Sequence, residues 1–273
     1  MKPHWSLDDI SWSRFEAGKV DPETLKAVKA AAMVEYNAAD YVRYLREVFA
    51  GDPDMIAAIE QWGREEEQHG LALARWAAMA DPSFDFDKSF KRFRDGFQVP
   101  AGVASSVRGS RAGEMVARCV VESGTSSYYS AIRDASDEPV LKEIAAHIAA
   151  DEFRHYRLFY EGFLKYQSSE RRPLVERLKV ALGRVLEAED DELAYAYYAA
   201  NEADSGLKYD RAHYSREYNR RVLRFYRPKH IQKGVAMIAK AVGLKPQGAL
   251  SRFAANLLWW GIRARGRMLA AQP

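Results

Sequence analysis

Two short stretches constrain this chain more than anything else in it: Glu65-Glu66-Glu67-Gln68-His69 and Asp151-Glu152-Phe153-Arg154-His155. Each holds a glutamate and a histidine three residues apart. At about 100° per residue on an α-helix, that spacing brings both side chains to nearly one face. A further glutamate precedes each pair: Glu35, 31 residues before Glu66, and Glu122, 30 residues before Glu152. The unit "Glu, then Glu-x-x-His" therefore occurs twice. Four glutamates and two histidines are the donor set with which a four-helix bundle holds two metal ions.

Helix signals support that architecture. Asp21-Pro22-Glu23 predicts a helix running to about Ala50 and closed by Gly51. Asp52-Pro53 opens a second, to about Met79. The stretch from Asp81 to Pro100 is predicted as a long connection, and a third helix spans roughly Gly109 to Asp134. Ser136-Asp137-Glu138-Pro139 opens a fourth, to about Gln167. Two short turns flanking one long crossover are similar to the connectivity of ferritin-like bundles. Beyond Arg172 the pattern stays helical over Pro173–Asn201, Gly206–Tyr226, Lys229–Val242 and Gln247–Ala270, with Pro228 and Pro246 as breaks. Strand alternation is weak throughout. The expectation is an all-α chain with an extension (1–20), a bundle (21–170), and additional helices (171–273) packed on it in the same domain.

Most glutamates on helices are solvated, but the neighbours of these four are apolar. Glu35 shares its face with Val28, Ala31, Ala32 and Val42; Glu66 with Ile59, Trp62 and Leu73. Glu122 lies among Met115, Cys119 and Tyr129, and Glu152 among Ile148, Ala149 and Phe159. Four unpaired buried carboxylates are not tolerated, so cations must compensate them. Two divalent ions with two neutral imidazoles complete the set, and carboxylates with imidazoles and no thiolate suit iron or manganese. The expected ligands are Glu35, Glu66, His69, Glu122, Glu152 and His155. Glu65 and Asp151 each precede a ligand glutamate and are candidates to orient a histidine. His4, His213 and His230 lie outside the repeat. His147, five residues before Glu152, points about 140° away from it around the helix.

At these residues the chain resembles the soluble acyl-ACP (acyl carrier protein) desaturases of the ferritin-like di-iron group. Trp62-x-x-Glu65-Glu66-x-x-His69-Gly70 is similar to that family's first iron motif, and Asp151-Glu152-x-Arg154-His155 to its second. Tyr41, six residues after Glu35, and Thr125, three after Glu122, also match. The resemblance covers about Val28 to Gln167; Gln68 departs from it, standing where many members carry arginine. It implies two iron ions, oxygen-dependent hydrogen removal from an unactivated C–H bond, an electron donor such as a ferredoxin, and a homodimer. It makes Thr125 the candidate catalytic residue, assisting proton delivery or oxygen activation. Trp62 is either part of an electron route or a core aromatic, and Tyr128 and Tyr129 are read as packing residues.

Small residues on the third helix (Ala117, Ser123, Gly124, Ser126, Ser127) offer room for an acyl chain or close helix packing. Arg211, Arg216, Arg220, Arg221, Arg224, Arg227 and Lys229 form one basic run, and Lys88, Lys91, Arg92 and Arg94 another. Either is a candidate dock for an acidic acyl carrier, and the charges with Trp259-Trp260 a candidate contact with an anionic membrane surface. The competing functions are a di-iron oxygenase of another class (hydroxylase, N-oxygenase or aldehyde-deformylating) and a ferritin-like iron- or peroxide-handling protein. A formal charge of +3, mixed in sign, points to no nucleic acid. One cysteine, Cys119, excludes an internal disulfide and suits a cytoplasmic setting. Asp8 and Asp9 in a stretch with no long apolar run argue against a secretory signal.

Overall fold

The structure, a computed structural model, describes residues 4–98, 105–187, 191–202 and 205–271. Among them every regular element is helical. The core of the arrangement is four helices in two antiparallel pairs: α1 (Pro22–Tyr36) continued by α2 (Ala38–Val48), packed along α3 (Pro53–Ala80); and, beyond a connection containing α4 (Phe86–Gly96), α5 (Arg111–Ala135) packed along α6 (Pro139–Glu170). Helices α3 and α6 then join the two pairs.

Side-chain capping defines the starts. Asp21 and Asp52 accept backbone N–H bonds from Thr24 and Met55, each followed by proline at the first helical position. Glu138 caps α6 through the Leu141 N–H at 2.7 Å, while the same carboxyl receives Trp76 Nε1 at 2.7 Å and the Glu16 N–H at 3.1 Å. One buried acid thus ties the α5–α6 turn to α3 and to the N-terminal segment. That segment is not a loose extension: Trp5 is buried, and Ser11 bonds to Glu143.

Three predicted elements are corrected. The first helix is interrupted at Asn37, whose N–H turns to the carbonyl of Val34; asparagine is a weak helix former that favours such tightened turns. The stretch from Asp81 to Pro100 is not all connection. Phe86, Phe90, Phe93 and Phe97 recur at helical spacing, and Asp85 caps α4 through the Lys88 N–H. The helix predicted over Pro173–Asn201 is two, α7 (Leu174–Leu186) and α8 (Asp191–Asn201). There follow α9 (Arg211–Val222), α10 (Pro228–Val242) and α11 (Ala249–Ala270). These helices cover the bundle: α8 packs on α1, α10 on α5, and α7 on α5.

Where α10 crosses α5, Ser123 and Ser127 serve packing. A Cβ on Gly234 would come within 2.6 Å of Ser127 Oγ, and Ser123 and Ser127 return their hydroxyls to backbone carbonyls. No helix among the described residues is long and apolar enough to cross a membrane.

Candidate metal centre

Four helices each deliver side chains to one point: Glu35 from α1, Glu66 and His69 from α3, Glu122 from α5, and Glu152 and His155 from α6, all buried. Donor atoms of Glu35, Glu66, His69 and Glu152 lie within 4.8 Å of one another, and so do those of Glu66, Glu122, Glu152 and His155. Glu66 and Glu152 belong to both groups. The six expected residues therefore form two adjoining clusters sharing two carboxylates, the pattern of a bridged pair.

The register of α3 against α6 orients the histidines crosswise. His69 Nε2 lies 2.9 Å from Asp151 Oδ2, and His155 Nε2 lies 2.8 Å from Glu65 Oε2. Each imidazole is held by the acid preceding the other motif's glutamate. With protons on Nε2, both rings turn Nδ1 inward. His69 Nδ1 faces Glu152 at 3.4 Å and Glu66 at 3.6 Å; His155 Nδ1 faces Glu66 at 3.1 Å. Neither Nδ1 atom, nor Glu152 Oε1, has a hydrogen-bond partner, although all three are fully buried. Orphaned inward-facing donor atoms of this kind are what cations satisfy. The residues fit two first-row divalent ions.

Their electrostatics lead to the same conclusion. Burial, reinforced by the charge of Glu66, holds the Glu35 carboxyl well above the usual carboxylate range; burial and Glu152 do the same to Glu122. Burial also opposes ionisation of Glu66, but the imidazoles of His155 and His69 facing it outweigh that and hold the group well below the range. Burial disfavours charge on His69 and His155 too; the carboxylates, Glu152 foremost, outweigh it and raise both imidazoles. At all four raised groups, protons compete with any cation for the same atoms.

Several contacts were not expected from the sequence. Tyr129, read as packing, donates to Glu35 Oε1 at 2.5 Å. Trp5 Nε1 donates to Asp151 Oδ2 at 2.5 Å, and its ring stacks on His69 and His147. Arg118, buried, gives Nη2 to Glu122 Oε1 at 3.0 Å and lays its guanidinium 4.6 Å over the Trp62 ring. Trp62 is a core aromatic in edge contact with Phe159. Only Arg118, four residues before Glu122 and therefore on its face, had a local signal.

Thr125 Oγ1 donates to Glu152 Oε2 at 2.6 Å, which puts a hydroxyl at the edge of the cluster. Tyr41 points elsewhere, to Glu192. His147 stays outside, against Trp5, and His230 is satisfied by Asp134 at 3.0 Å. The basic runs are largely neutralised inside the chain. Arg220 and Arg221 pair with Glu217 and Glu23, Arg224 with Asp21, Lys229 with Asp134, Lys91 with Asp95, and Arg211 lies 3.9 Å from Asp191. No family model matches the chain, and no curated protein matches it.

Proposed function

We propose that this chain holds two iron ions, or manganese, in the Glu/His cluster and is an oxygen-dependent oxidoreductase acting on an apolar substrate, of the fatty-acyl desaturase kind its motifs resemble. The observation that carries the reading is the sharing of Glu66 and Glu152 between two donor groups, each completed by one more glutamate and one histidine. A structural ion needs one such group; paired groups with shared carboxylates suit chemistry that spends two electrons at once. When bound, the di-iron pair supplies dioxygen reduction and the oxidising power to take hydrogen from an unactivated C–H bond.

The chain's residues do the rest. Glu35 and His69 would hold one ion and Glu122 and His155 the other, with Glu66 and Glu152 available to both. Asp151 and Glu65 keep both Nδ1 lone pairs turned inward. Thr125 holds a proton at Glu152 Oε2 and can pass it inward. Ile59, Trp62, Met115 and Phe159, on the same helix faces as the ligand glutamates, belong to one buried apolar cluster that limits water on that side. The internal pairing of the basic runs favours a free or lipid-dissolved acyl substrate over one carried by an acidic protein.

The decisive experiment loads the metal-free chain anaerobically with ferrous iron, counts the metal, and admits oxygen. About two irons per chain and rapid oxygen consumption are expected; many irons per chain would favour storage instead. Lipid profiling of cells with and without the protein then tests the substrate class. Unchanged double-bond content would remove the desaturase reading and leave a different oxygenase.

A further inference from the structure

Helix α11 has two opposed faces. Ser251, Ala255 and Leu269 are buried, and the helix packs against α10 and α9. On the other side Leu250, Phe253, Leu257, Trp260 and Met268 are exposed by 62%, 66%, 64%, 75% and 57%. At about 100° per residue these five fall within an arc of roughly 80° and make one continuous apolar stripe. Arg263 and Arg267 border the stripe on one side and Arg265 on the other. Neither Arg263 nor Arg267 makes an ion pair among the described residues.

Charge is distributed just as unevenly along the chain. From Pro228 to Pro273 there are eight lysines and arginines and no aspartate or glutamate, although the whole chain has only three more bases than acids. The preceding residues are therefore net negative, and the positive charge is concentrated in the segment that ends in α11. A contiguous apolar stripe of this size on a helix marks an interaction surface.

We propose that α11 is a membrane-surface anchor, its stripe seated at the headgroup boundary of an anionic bilayer and its arginines paired with lipid phosphates at the rim. Charge selects this occupant. An anionic bilayer complements the arginine rows, whereas a second copy docked face to face would bring like rows together. The helix is not apolar enough to cross, so it lies in the plane of the surface, with arginine stems reaching outward to the phosphates. Residues of α11 contribute nothing to the metal cluster, so the anchor and the proposed chemistry stand or fall separately.

The test is co-sedimentation of the full chain with vesicles of phosphatidylcholine alone or mixed with phosphatidylglycerol, at low and high salt, with tryptophan emission recorded in parallel. Binding to the mixed vesicles, a blue shift, and weakening by salt are expected. The double variant Leu257→Asp, Trp260→Ser changes only exposed positions and should keep its helical circular dichroism and metal content. Its partitioning should fall on the order of tenfold or more. Arg263→Gln with Arg267→Gln should weaken binding chiefly at low salt. Absence of binding to the mixed vesicles, or undiminished binding by the Leu257/Trp260 variant, overturns the proposal. A concentration-dependent dimer in light scattering, lost in that variant and without vesicle binding, would assign the stripe to a second copy.

Discussion

His69 and His155 are held in the same way from opposite sides, each by an acid that stands beside the other's partner glutamate. Such outer contacts set the tautomer and the direction of the donor atom, and their loss typically lowers metal affinity about 10–100-fold. Asp151→Asn and Glu65→Gln are each expected to show that loss in chelator-competition titrations while remaining folded; affinity equal to wild type would refute the orienting role. Arg118 acts on the same centre through Glu122, which it meets at 3.0 Å. Arg118→Met keeps much of the bulk over Trp62 but removes the guanidinium that meets Glu122 at 3.0 Å. Metal affinity in that variant is expected to fall by a similar factor of roughly ten or more, again read by chelator competition. The adjacency of Glu65 and Asp151 to ligand residues made them legible in advance. Trp5 could not be found that way, since 146 residues separate it from the carboxylate it meets.

Among the elements, the crossing of α1 and α3 is set by a glycine. A Cβ on Gly70 would lie 2.6 Å from the Tyr36 amide nitrogen and 2.8 Å from its Cα. That backbone adjoins Glu35 and the interruption at Asn37, so the close approach holds Glu35 beside His69. Gly70→Ala must push the helices apart and should cost about 1–3 kcal/mol in urea unfolding. A stability equal to wild type would show that the backbone yields freely there. The start of α3 offers a pH test. Lys165 at 2.5 Å and Tyr166 at 2.7 Å pull the Asp52 carboxyl from its ordinary 3.8 down to about 2. A group whose folded pKa is depressed adds stability that is present above its unfolded pKa and is lost as pH falls through the folded one. The urea midpoint of wild type should therefore exceed that of Asp52→Asn by a constant amount above pH ~5, and by progressively less from pH ~4 toward 2. A gap that widens on acidification would contradict the pairing. Helix α4 shows where element prediction failed: its phenylalanines are periodic, but Lys88, Lys91, Arg92 and Arg94 between them made the stretch look like a solvated connection.

For the whole molecule, the two donor groups draw on both antiparallel pairs, so ions bound in both would each link three helices and together tie α1, α3, α5 and α6. An ion bound only by the folded chain adds RT ln(1 + [L]/Kd), about 2.7 kcal/mol at a hundredfold excess over Kd. Chelator-treated protein should accordingly melt several degrees below the iron- or manganese-loaded form. Protons compete for the same sites. Burial raises the pKa values of Glu35 and Glu122, and the surrounding carboxylates raise those of His69 and His155, so binding works against protonation at all four. Metal affinity should therefore rise with pH, with proton release detectable by a pH dye during titration. Affinity that is flat or falling with pH would place the ions elsewhere.

The helical class and the six clustered residues were legible in the sequence because they rest on local regularities: capping signals, a three-residue spacing on one helix, and apolar neighbours at helical period. Tertiary structure alone decided which acid holds which histidine, because that depends on the register of α3 against α6. It also decided that the basic run near Arg220 is consumed by Glu23, Asp21 and Asp134, and that the apolar stripe of α11 stays uncovered. A charge or a leucine looks the same in sequence whether or not a distant segment folds back onto it, and only the packed chain brings those partners within reach.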